Sequence, residues 1–344
     1  MMNRKGTKKI GTVVFIQRGD FKSKQILKKV EEKHLVKYID SSPIFFPIKI
    51  LPFVIKYFSQ KKRWVFIYRY LNDYPSLSKT LSRALSEYFV VIISKLFNGD
   101  VYWICHNVDK ETARYYPKIS EFRRNLLNLH ASRVFVMQKH LVKYYNANFD
   151  REKVDFLSFG YIESKLRTDS NVIDLLRMLK SGPTKIAWSA GQYAAKTTYI
   201  EKTIDFAALN PDISFVMVIS RLPDETLNKL NNVTNIHVLK GPLVLNEDEV
   251  AEYIDFFWRS YDDLSVPFSV FNAVKNRKKI LCMKEGFLSE IVERYEIGIV
   301  LSAVARIPIQ VTTPLKEEVV TRFEEENNWG IPSNKLLRLI NELN

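Results

Sequence analysis

Short apolar runs alternate with helical stretches along almost the whole chain, and this alternation limits the possible folds more than any other feature. The apolar runs are rich in Val, Ile and Phe, as expected for strands that are covered on both faces. Such strands separated by helices are typical of βαβ units and a parallel sheet. In the first half, the predicted strands are residues 11–17, 35–39, 64–68, 100–105, 133–137 and 154–158.

A second series of strands and helices begins after a polar interruption. Between residues 160 and 183, polar side chains and the sequence SGP break the pattern. A chain of 344 residues also exceeds what one hydrophobic core usually holds. We therefore predict two tandem Rossmann-like domains, 1–162 and 163–320, followed by a C-terminal helix over 321–344 that could cross back to the first domain. The second set of predicted strands is 185–190, 213–219, 235–239, 254–258, 279–283 and 297–301.

The charge of the chain is unevenly distributed. The net charge is +14, but residues 1–150 hold 28 Lys and Arg against 11 Asp and Glu, a net of +17. The remainder holds 24 against 27, a net of −3. Such asymmetry indicates an anionic partner for the first half, which could be a membrane surface, a nucleic acid or a phosphorylated substrate.

The sequence FPIKILPFVIKYFSQKKRW, residues 46–64, mixes large apolar residues with five basic ones. A stretch of this kind can lie in a membrane interface, with its apolar side inward and its cations on anionic headgroups. The alternative is a crossover helix that packs on the sheet, and the two interpretations can both hold. No apolar run reaches the roughly 18 residues of a transmembrane helix. The opening sequence is interpreted as a first strand and not as a signal peptide.

Polar chemistry follows a predicted strand in GDVYWICHNVDKE, residues 99–111. Parallel sheets bind ligands beyond the carboxyl ends of their strands, so His106 and the acids Asp109 and Glu111 lie where a substrate would. A carboxylate or a histidine at such a place can take a proton from a substrate, and Asp20, after the first strand, is a further candidate for this role. Each acid could instead be an ordinary loop carboxylate.

A loop and helix in the second half are the other candidate site. After a strand that ends near Trp258, the sequence RSYDD is followed by a helix predicted to open at Ser265, with Ser265 as N-cap and Pro267 in its first turn. Its free amide groups would face an anion such as a diphosphate. Ser265, Ser269 and Asn272, spaced i, i+4 and i+7, would share one face, although a cap and a solvated face explain the same pattern.

These motifs resemble a known family. The order of strand, polar loop and helix with FNAVKNRKKIL, followed by EGFLSEIVERYEIGIVL, resembles the donor domain of GT-B glycosyltransferases. More narrowly, it is similar to bacterial surface-polysaccharide sugar transferases. WICHN resembles the family's strand that ends in a His-Asn motif on the acceptor side, with an acid shortly after. The resemblance covers the whole chain in outline and residues 185–301 in detail.

The resemblance implies two Rossmann-like domains facing a cleft, the GT-B architecture, with a nucleotide diphosphate-sugar as co-substrate on the second domain. His106 would contact the transferred sugar or the acceptor. Asn272 falls where retaining members carry the second of two glutamates and Leu264 where they carry the first, so retaining and inverting transfer both stay open. The implied donor-binding residues are Tyr261, Asp263, Ser265, Ser269, Asn272, Lys196, Arg221 and Gly241.

Other chemistries have little support in the sequence. The five histidines show no ligand spacing, and no metal or further cofactor is expected. Neither G-x-x-x-x-G-K-[ST] nor G-x-G-x-x-G occurs, which disfavours ATPases and dinucleotide enzymes. The two cysteines, Cys105 and Cys282, lie in predicted strands and are expected to be buried thiols of a reducing cytosol.

The sequence thus predicts a glycosyltransferase in the cytoplasm, peripheral on the inner face of the cell membrane. It would transfer a sugar to a hydroxyl of a glycan carried by a polyprenyl diphosphate, in bacterial surface-polysaccharide synthesis. One alternative is a nucleotide-sugar epimerase of the same fold, which needs no membrane. Another is a basic nucleic-acid-binding protein, which would bind any duplex in a steeply salt-dependent manner, although no recognised nucleic-acid motif is present.

Overall fold

The structure, a computed structural model, describes residues 11–40, 42–109, 115–149, 154–164, 166–192, 197–219, 224–259 and 262–343. The chain is divided into two compact units. The first unit is Met1–Phe159 together with Asn328–Asn344, and the second is Gly160–Asn327. Each unit contains one parallel six-stranded sheet with helices between its strands, so the predicted pair of Rossmann-like domains is confirmed.

The first unit is built on a sheet with the strand order β2-β1-β3-β4-β5-β6, in which all neighbours are parallel. Its strands are β1 (Val13–Gln17), β2 (Leu35–Ile39), β3 (Trp64–Tyr68), β4 (Asp100–Cys105), β5 (Arg133–Val136) and β6 (Val154–Phe156). Its helices are α1 (Phe21–Glu31), α2 (Phe46–Ser59), α3 (Leu77–Leu96), α4 (Pro117–His130), α5 (Val142–Phe149) and the last helix of the chain, α13 (Gly330–Asn341).

The central strands β1, β3 and β4 are buried along their whole length, which explains why their sequences are continuous apolar runs. Trp64 fills the space beside the turn before β4 and donates a hydrogen bond from Nε1 to the carbonyl of Phe97, at 3.1 Å. A Cβ at Gly99 would lie 2.1 Å from the Trp64 ring. Only a glycine therefore lets the chain enter β4 at this position.

The helices of the first unit pack in two groups. α2 packs on α3 and α3 packs on α4, whereas α1 packs on α13. The backbone N–H of Lys29 in α1 donates to Ser333 Oγ in α13, at 2.8 Å, and His34 Nε2 lies 2.9 Å from Asn341 Oδ1. These bonds attach the last helix of the chain to the unit formed by its first half.

The second unit is built on a sheet with the strand order β12-β11-β10-β7-β8-β9, again with parallel neighbours. Its strands are β7 (Lys185–Gln192), β8 (Ile213–Ile219), β9 (Ile236–Lys240), β10 (Phe256–Trp258), β11 (Ile280–Met283) and β12 (Gly298–Leu301). Its helices are α6 (Ser170–Lys180), α7 (Thr197–Leu209), α8 (Asp224–Asn231), α9 (Glu247–Ala251), α10 (Ser269–Lys275), α11 (Gly286–Tyr295) and α12 (Glu317–Glu326).

Strand order determines where each unit can hold a ligand. The connections from β1 and from β7 run to one side of the sheet, and the chain later returns to the other side through β3 and β10. The crevices beyond the carboxyl ends of β1 and β3, and of β7 and β10, are therefore the topological switch points of the two sheets. None of the helices among the described residues combines the length and hydropathy needed to cross a bilayer.

Candidate functional site

A buried arginine lies at the switch point of the second unit. Arg259 directly follows β10 and is 2% exposed. Its Nε donates to Ser269 Oγ at 2.9 Å, and its Nη1 donates to the carbonyl of Ala190 at 2.5 Å and to Ser189 Oγ at 3.2 Å. One guanidinium thus connects the ends of β7 and β10 to the first residue of α10.

Glu247, the first residue of α9, lies beside this guanidinium. Its Oε1 is 3.5 Å from Arg259 Nη2, and its Oε2 accepts a hydrogen bond from Asn272 Nδ2. The other amide atom, Asn272 Oδ1, is buried and has no hydrogen-bond partner among the described residues. An open acceptor beside a carboxylate suits a ligand that offers hydroxyl or N–H donors.

The helix that carries Ser269 and Asn272 begins later than predicted. α10 starts at Ser269, and Phe268 is its N-cap residue without a side-chain cap bond, so the prediction that Ser265 caps the helix was wrong. The Ser265 hydroxyl instead donates to Asp263 Oδ1 at 2.8 Å. Ser265 therefore lies outside the helix, and the predicted three-residue face reduces to Ser269 and Asn272, whose side chains bond Arg259 and Glu247 respectively.

The other residues predicted to bind the donor do not join the cluster around Arg259 in the described structure. Gly241 follows β9, and its N–H donates to the carbonyl of Ile219 at the end of β8, at 3.1 Å, which continues the pairing of the two strands by one bond. β8 separates β9 from β7, so Gly241 lies away from the switch point of its sheet. Contact of Gly241, Asp263 or Ser265 with a donor stays a prediction. Lys196, Arg221 and Tyr261 lie outside the described residues.

Side chains from three elements meet at the switch point of the first unit. Asp20 caps α1 by accepting from the Ser23 N–H at 2.8 Å, and its carboxylate pairs with Arg69, which follows β3 and is buried. Arg69 Nη2 donates to the hydroxyl of Tyr70 at 2.8 Å. Burial favours the neutral acid, but Arg69 and the Ser23 bonds outweigh burial and hold the pKa of Asp20 below its usual value. A carboxylate with a lowered pKa is a weaker base.

His106, directly after β4, completes this cluster. Its ring stacks on Tyr70 with 4.7 Å between centroids and an interplanar angle of 8°, and Phe159 packs edge-on at 5.8 Å. His106 Nδ1 lies 2.8 Å from Met137 Sδ, and a thioether sulfur can only accept, so Nδ1 carries the proton. Nε2 is then an acceptor, and it is buried with no partner among the described residues.

Cationic side chains lie around His106 and around the two residues that follow it. Burial, and then the charges of Arg69 and Lys22, lower the pKa of His106 well below its usual value, so the ring is neutral at pH 7. Burial and Arg69 also lower the pKa of Lys22 to about 8. Arg124 donates to the carbonyl of Asn107 at 3.0 Å and to that of Val108, which fixes the chain after β4.

Of the two acids predicted beside His106, the structure describes one. Asp109 is half-buried at the end of this fixed segment, and its role as a base stays a prediction. Glu111 lies outside the described residues. Among the described residues, no three His, Cys, Asp or Glu side chains are grouped so that they could hold a metal ion.

The chain is similar to known proteins in structure, and no similarity was found by sequence. No protein-family model matches the sequence, and no curated protein matches it. HepE from Anabaena, solved with UDP and glucose, matches over 96% of this chain and 100% of its own, with a TM-score of 0.66 and 11% identity. A sucrose-phosphate synthase from Thermosynechococcus elongatus matches over 97% and 99%, with a TM-score of 0.64 and 12% identity.

A third similar structure is WaaG, described as a glycosyltransferase involved in lipopolysaccharide biosynthesis. It matches over 95% of this chain and 99% of its own, with a TM-score of 0.57 and 11% identity. The chain has the GT-B fold. The GT-B resemblance seen in the sequence is thereby confirmed for the fold.

Sequence analysis missed several residues of the two candidate sites. Arg259 stood within the quoted loop RSYDD, and Arg69 follows a strand in the same way as His106, so the rule that ligands bind beyond strand ends would have selected both. Glu247 carried no comparable signal. Its contact with Asn272 depends on the packing of α9 against α10, which local sequence does not show.

The buried neutral His106 gives a pH-dependent stability. An unfolded chain binds a proton on this ring near pH 6.5, whereas the folded unit does not, so stability falls as the pH falls below 6.5. Between pH 6.5 and 5, the wild type is expected to lose about 1–2 kcal/mol more unfolding free energy than His106→Gln. Urea unfolding at a series of pH values measures the difference. Identical pH slopes for the two proteins would contradict the assignment.

Proposed function

We propose that the protein is a glycosyltransferase that takes its donor, a nucleotide diphosphate-sugar, on the Gly160–Asn327 unit. The observation that carries the proposal is the unpartnered Asn272 Oδ1 beside the Glu247 carboxylate, at the switch point of a GT-B fold. A nucleotide offers ribose hydroxyls that would donate to both groups. Arg259 holds Ser269 and the end of β7 in place, and it supplies positive charge near a diphosphate.

The acceptor is proposed to bind at the switch point of the first unit. His106 Nε2 is a buried, unprotonated nitrogen that would accept a hydrogen bond from a sugar hydroxyl. Because its pKa is lowered, His106 suits orientation of a hydroxyl better than permanent removal of its proton. Asp109 and Glu111 are the proposed alternatives for a base if transfer inverts. No metal ion or further cofactor takes part in the proposal.

The proposed acceptor is a glycan carried by a polyprenyl diphosphate, in the synthesis of a bacterial surface polysaccharide. The support is the charge of residues 1–150, whose net of +17 suits an anionic membrane surface and a diphosphate headgroup. The protein would then be cytoplasmic and peripheral on the inner face of the cell membrane. No nucleic-acid partner is proposed.

Thermal shift with UDP, GDP and duplex DNA tests the class of ligand. A ligand present at a hundred times its Kd stabilises the folded protein by about 2.7 kcal/mol, which raises Tm by several degrees. We expect one of the nucleotides to do so and DNA to have no effect. Turnover of nucleotide-sugars with a membrane extract then identifies the sugar. Stabilisation by DNA alone would refute the proposal, and conversion of a nucleotide-sugar without transfer would favour an epimerase.

Asn272→Ala is expected to weaken binding of the effective nucleotide by about tenfold, because one or two hydrogen bonds to the ligand are lost. The fold should be retained, since Asn272 is half-buried and is not among the fully buried residues of α10, and alanine favours helices. Isothermal titration measures the affinity. Asn228→Ala, at an exposed position of α8, is the matched control and should bind like the wild type. Unchanged affinity in Asn272→Ala would remove the donor site from this position.

A further inference from the structure

The first half of α3 is inverted in polarity relative to an ordinary surface helix, whereas its second half buries the apolar residues Val90, Val91 and Ile93. The side of α3 toward the protein carries polar residues, namely Thr80, Arg83, Ser86, Glu87 and Ser94, all of which are buried. Its exposed side carries large apolar ones, namely Leu77, Leu81, Leu85, Tyr88, Phe89 and Leu96. Leu81, Leu85 and Tyr88 are spaced i, i+4 and i+7 and form one stripe, and Leu85 is 56% exposed.

Buried ion pairs fix this orientation of α3. Glu87 accepts from Arg123 Nε and Nη2 at 2.7 and 2.8 Å, and Arg83 Nε lies 3.4 Å from Glu87 Oε1. Arg123 Nη1 also pairs with Asp73 at 2.6 Å. Turning α3 to bury its leucines would expose these pairs and break them. The apolar stripe is therefore held outward by the interior of the unit.

Helix α2 extends the apolar surface. α2 packs against α3, and Ile48, Ile55 and Phe58 are exposed on it, with Ile48 at 67%. We define the docking face as these three residues together with Leu81, Leu85, Tyr88 and Phe89. Exposed apolar residues concentrated on two helices that pack against each other are uncommon on a protein that stays in solution, and they mark a site of interaction.

The exposed charges on α2 and α3 are all of one sign. α2 and α3 carry four exposed lysines, and the only acid on either helix is Glu87, which is buried in the ion pairs with the arginines. Lys61, the second residue after α2, is exposed as well. The lysines of the two helices are Lys49, Lys56, Lys79 and Lys95. An apolar centre with cationic surroundings and no exposed acid on these helices complements the acyl boundary and headgroups of an anionic bilayer.

We propose that the docking face lies in the headgroup region of an anionic lipid bilayer. The proposal names the surface of the protein that meets the membrane. It rests on the proposed function, which supplies the reason that a membrane is the partner. Arg83 links this face to the acceptor site. It donates to the carbonyls of Asn72, at 2.8 Å, and of Tyr70, whose ring stacks on His106. The helix that docks thus also holds the backbone at the proposed acceptor site, and a lipid-linked acceptor would reach that site from the bilayer surface.

Co-sedimentation of the full chain with vesicles tests the docking face. The wild type is expected to bind vesicles of phosphatidylcholine that contain phosphatidylglycerol and to bind phosphatidylcholine alone much more weakly. The double variant Leu81→Glu/Leu85→Glu should lose about tenfold or more of its partition, because two apolar contacts are replaced by charges that the headgroups repel. The matched control is Met178→Glu on α6, at an exposed apolar position of the other unit, which should bind vesicles like the wild type.

The outcomes separate this inference from the proposed function. Equal vesicle binding by the wild type and the double variant would overturn the docking face, and so would equal binding to the two kinds of vesicle. A dimer in gel filtration that the double variant converts to a monomer, with vesicle binding unchanged, would assign the face to a second copy of the chain. The nucleotide-induced thermal shift should be the same in all three proteins. A wild type that binds vesicles but no nucleotide would refute the donor proposal and leave the docking face standing.

Discussion

Glu87→Ala is expected to lower the unfolding free energy of the first unit by about 3–5 kcal/mol, the cost of removing one partner from a buried ion pair. Glu87 is 1% exposed and accepts two hydrogen bonds from Arg123. Without it, Arg83 and Arg123 stay buried, with Asp73 as the remaining carboxylate of the network. The loss should extend to function, because Arg83 also holds the carbonyls of Tyr70 and Asn72 at the proposed acceptor site.

Native-state hydrogen exchange at the amides of β3 and β4 measures this loss in the unit that contains the network, which a whole-chain melt would average over two units. Glu121→Ala is the matched control, since Glu121 is exposed on α4, and it should change the unfolding free energy by less than about 0.5 kcal/mol. If Glu87→Ala stayed within about 1 kcal/mol of the wild type, the network would not determine the orientation of α3.

The fold could be predicted from the sequence because each unit repeats one signal. Runs such as VVFIQ in β1 and WVFIY in β3 are almost entirely apolar, as central strands of a parallel sheet must be, and every predicted strand has a counterpart in the structure.

The error at α10 has a local cause. A serine two residues before a proline is typical of a helix start, but the Ser265 hydroxyl bonds Asp263, and the helix begins one turn later.

The sites could be predicted only in part, because their contacts join elements that are distant in sequence. The position of His106 at a strand end was visible, whereas its stacking on Tyr70 and its contact with Met137 depend on how β3, β4 and β5 align. The inverted polarity in the first half of α3 was hidden for the same reason. Arg83 and Glu87 are spaced i, i+4, as in an exposed ion pair, and only Arg123 on α4 shows that they face inward.

Arg259→Met is expected to abolish tight donor binding and to lower the stability of the second unit by about 3 kcal/mol. Methionine has a comparable length but no charge and no donors, so Ser269 and the carbonyl of Ala190 lose their bonds and Glu247 loses its counter-ion. Glu247 is 15% exposed and can be partly hydrated, which keeps the expected loss at the lower end for buried pairs.

Nucleotide titration and native-state hydrogen exchange at the amides of β7 and β10, measured on a short series of variants, separate the two effects of Arg259. Arg259→Lys keeps the charge, but a single ammonium cannot reproduce the fork that reaches Ser269 and Ala190 together, so donor affinity should fall by about tenfold with a smaller loss of stability. Arg277→Met, which removes an exposed arginine paired with Glu317, is the matched control and should change neither quantity. Wild-type affinity in Arg259→Met, at whatever stability, would show that Arg259 supports the sheet alone, and the donor would then have to bind away from the ends of β7 and β10.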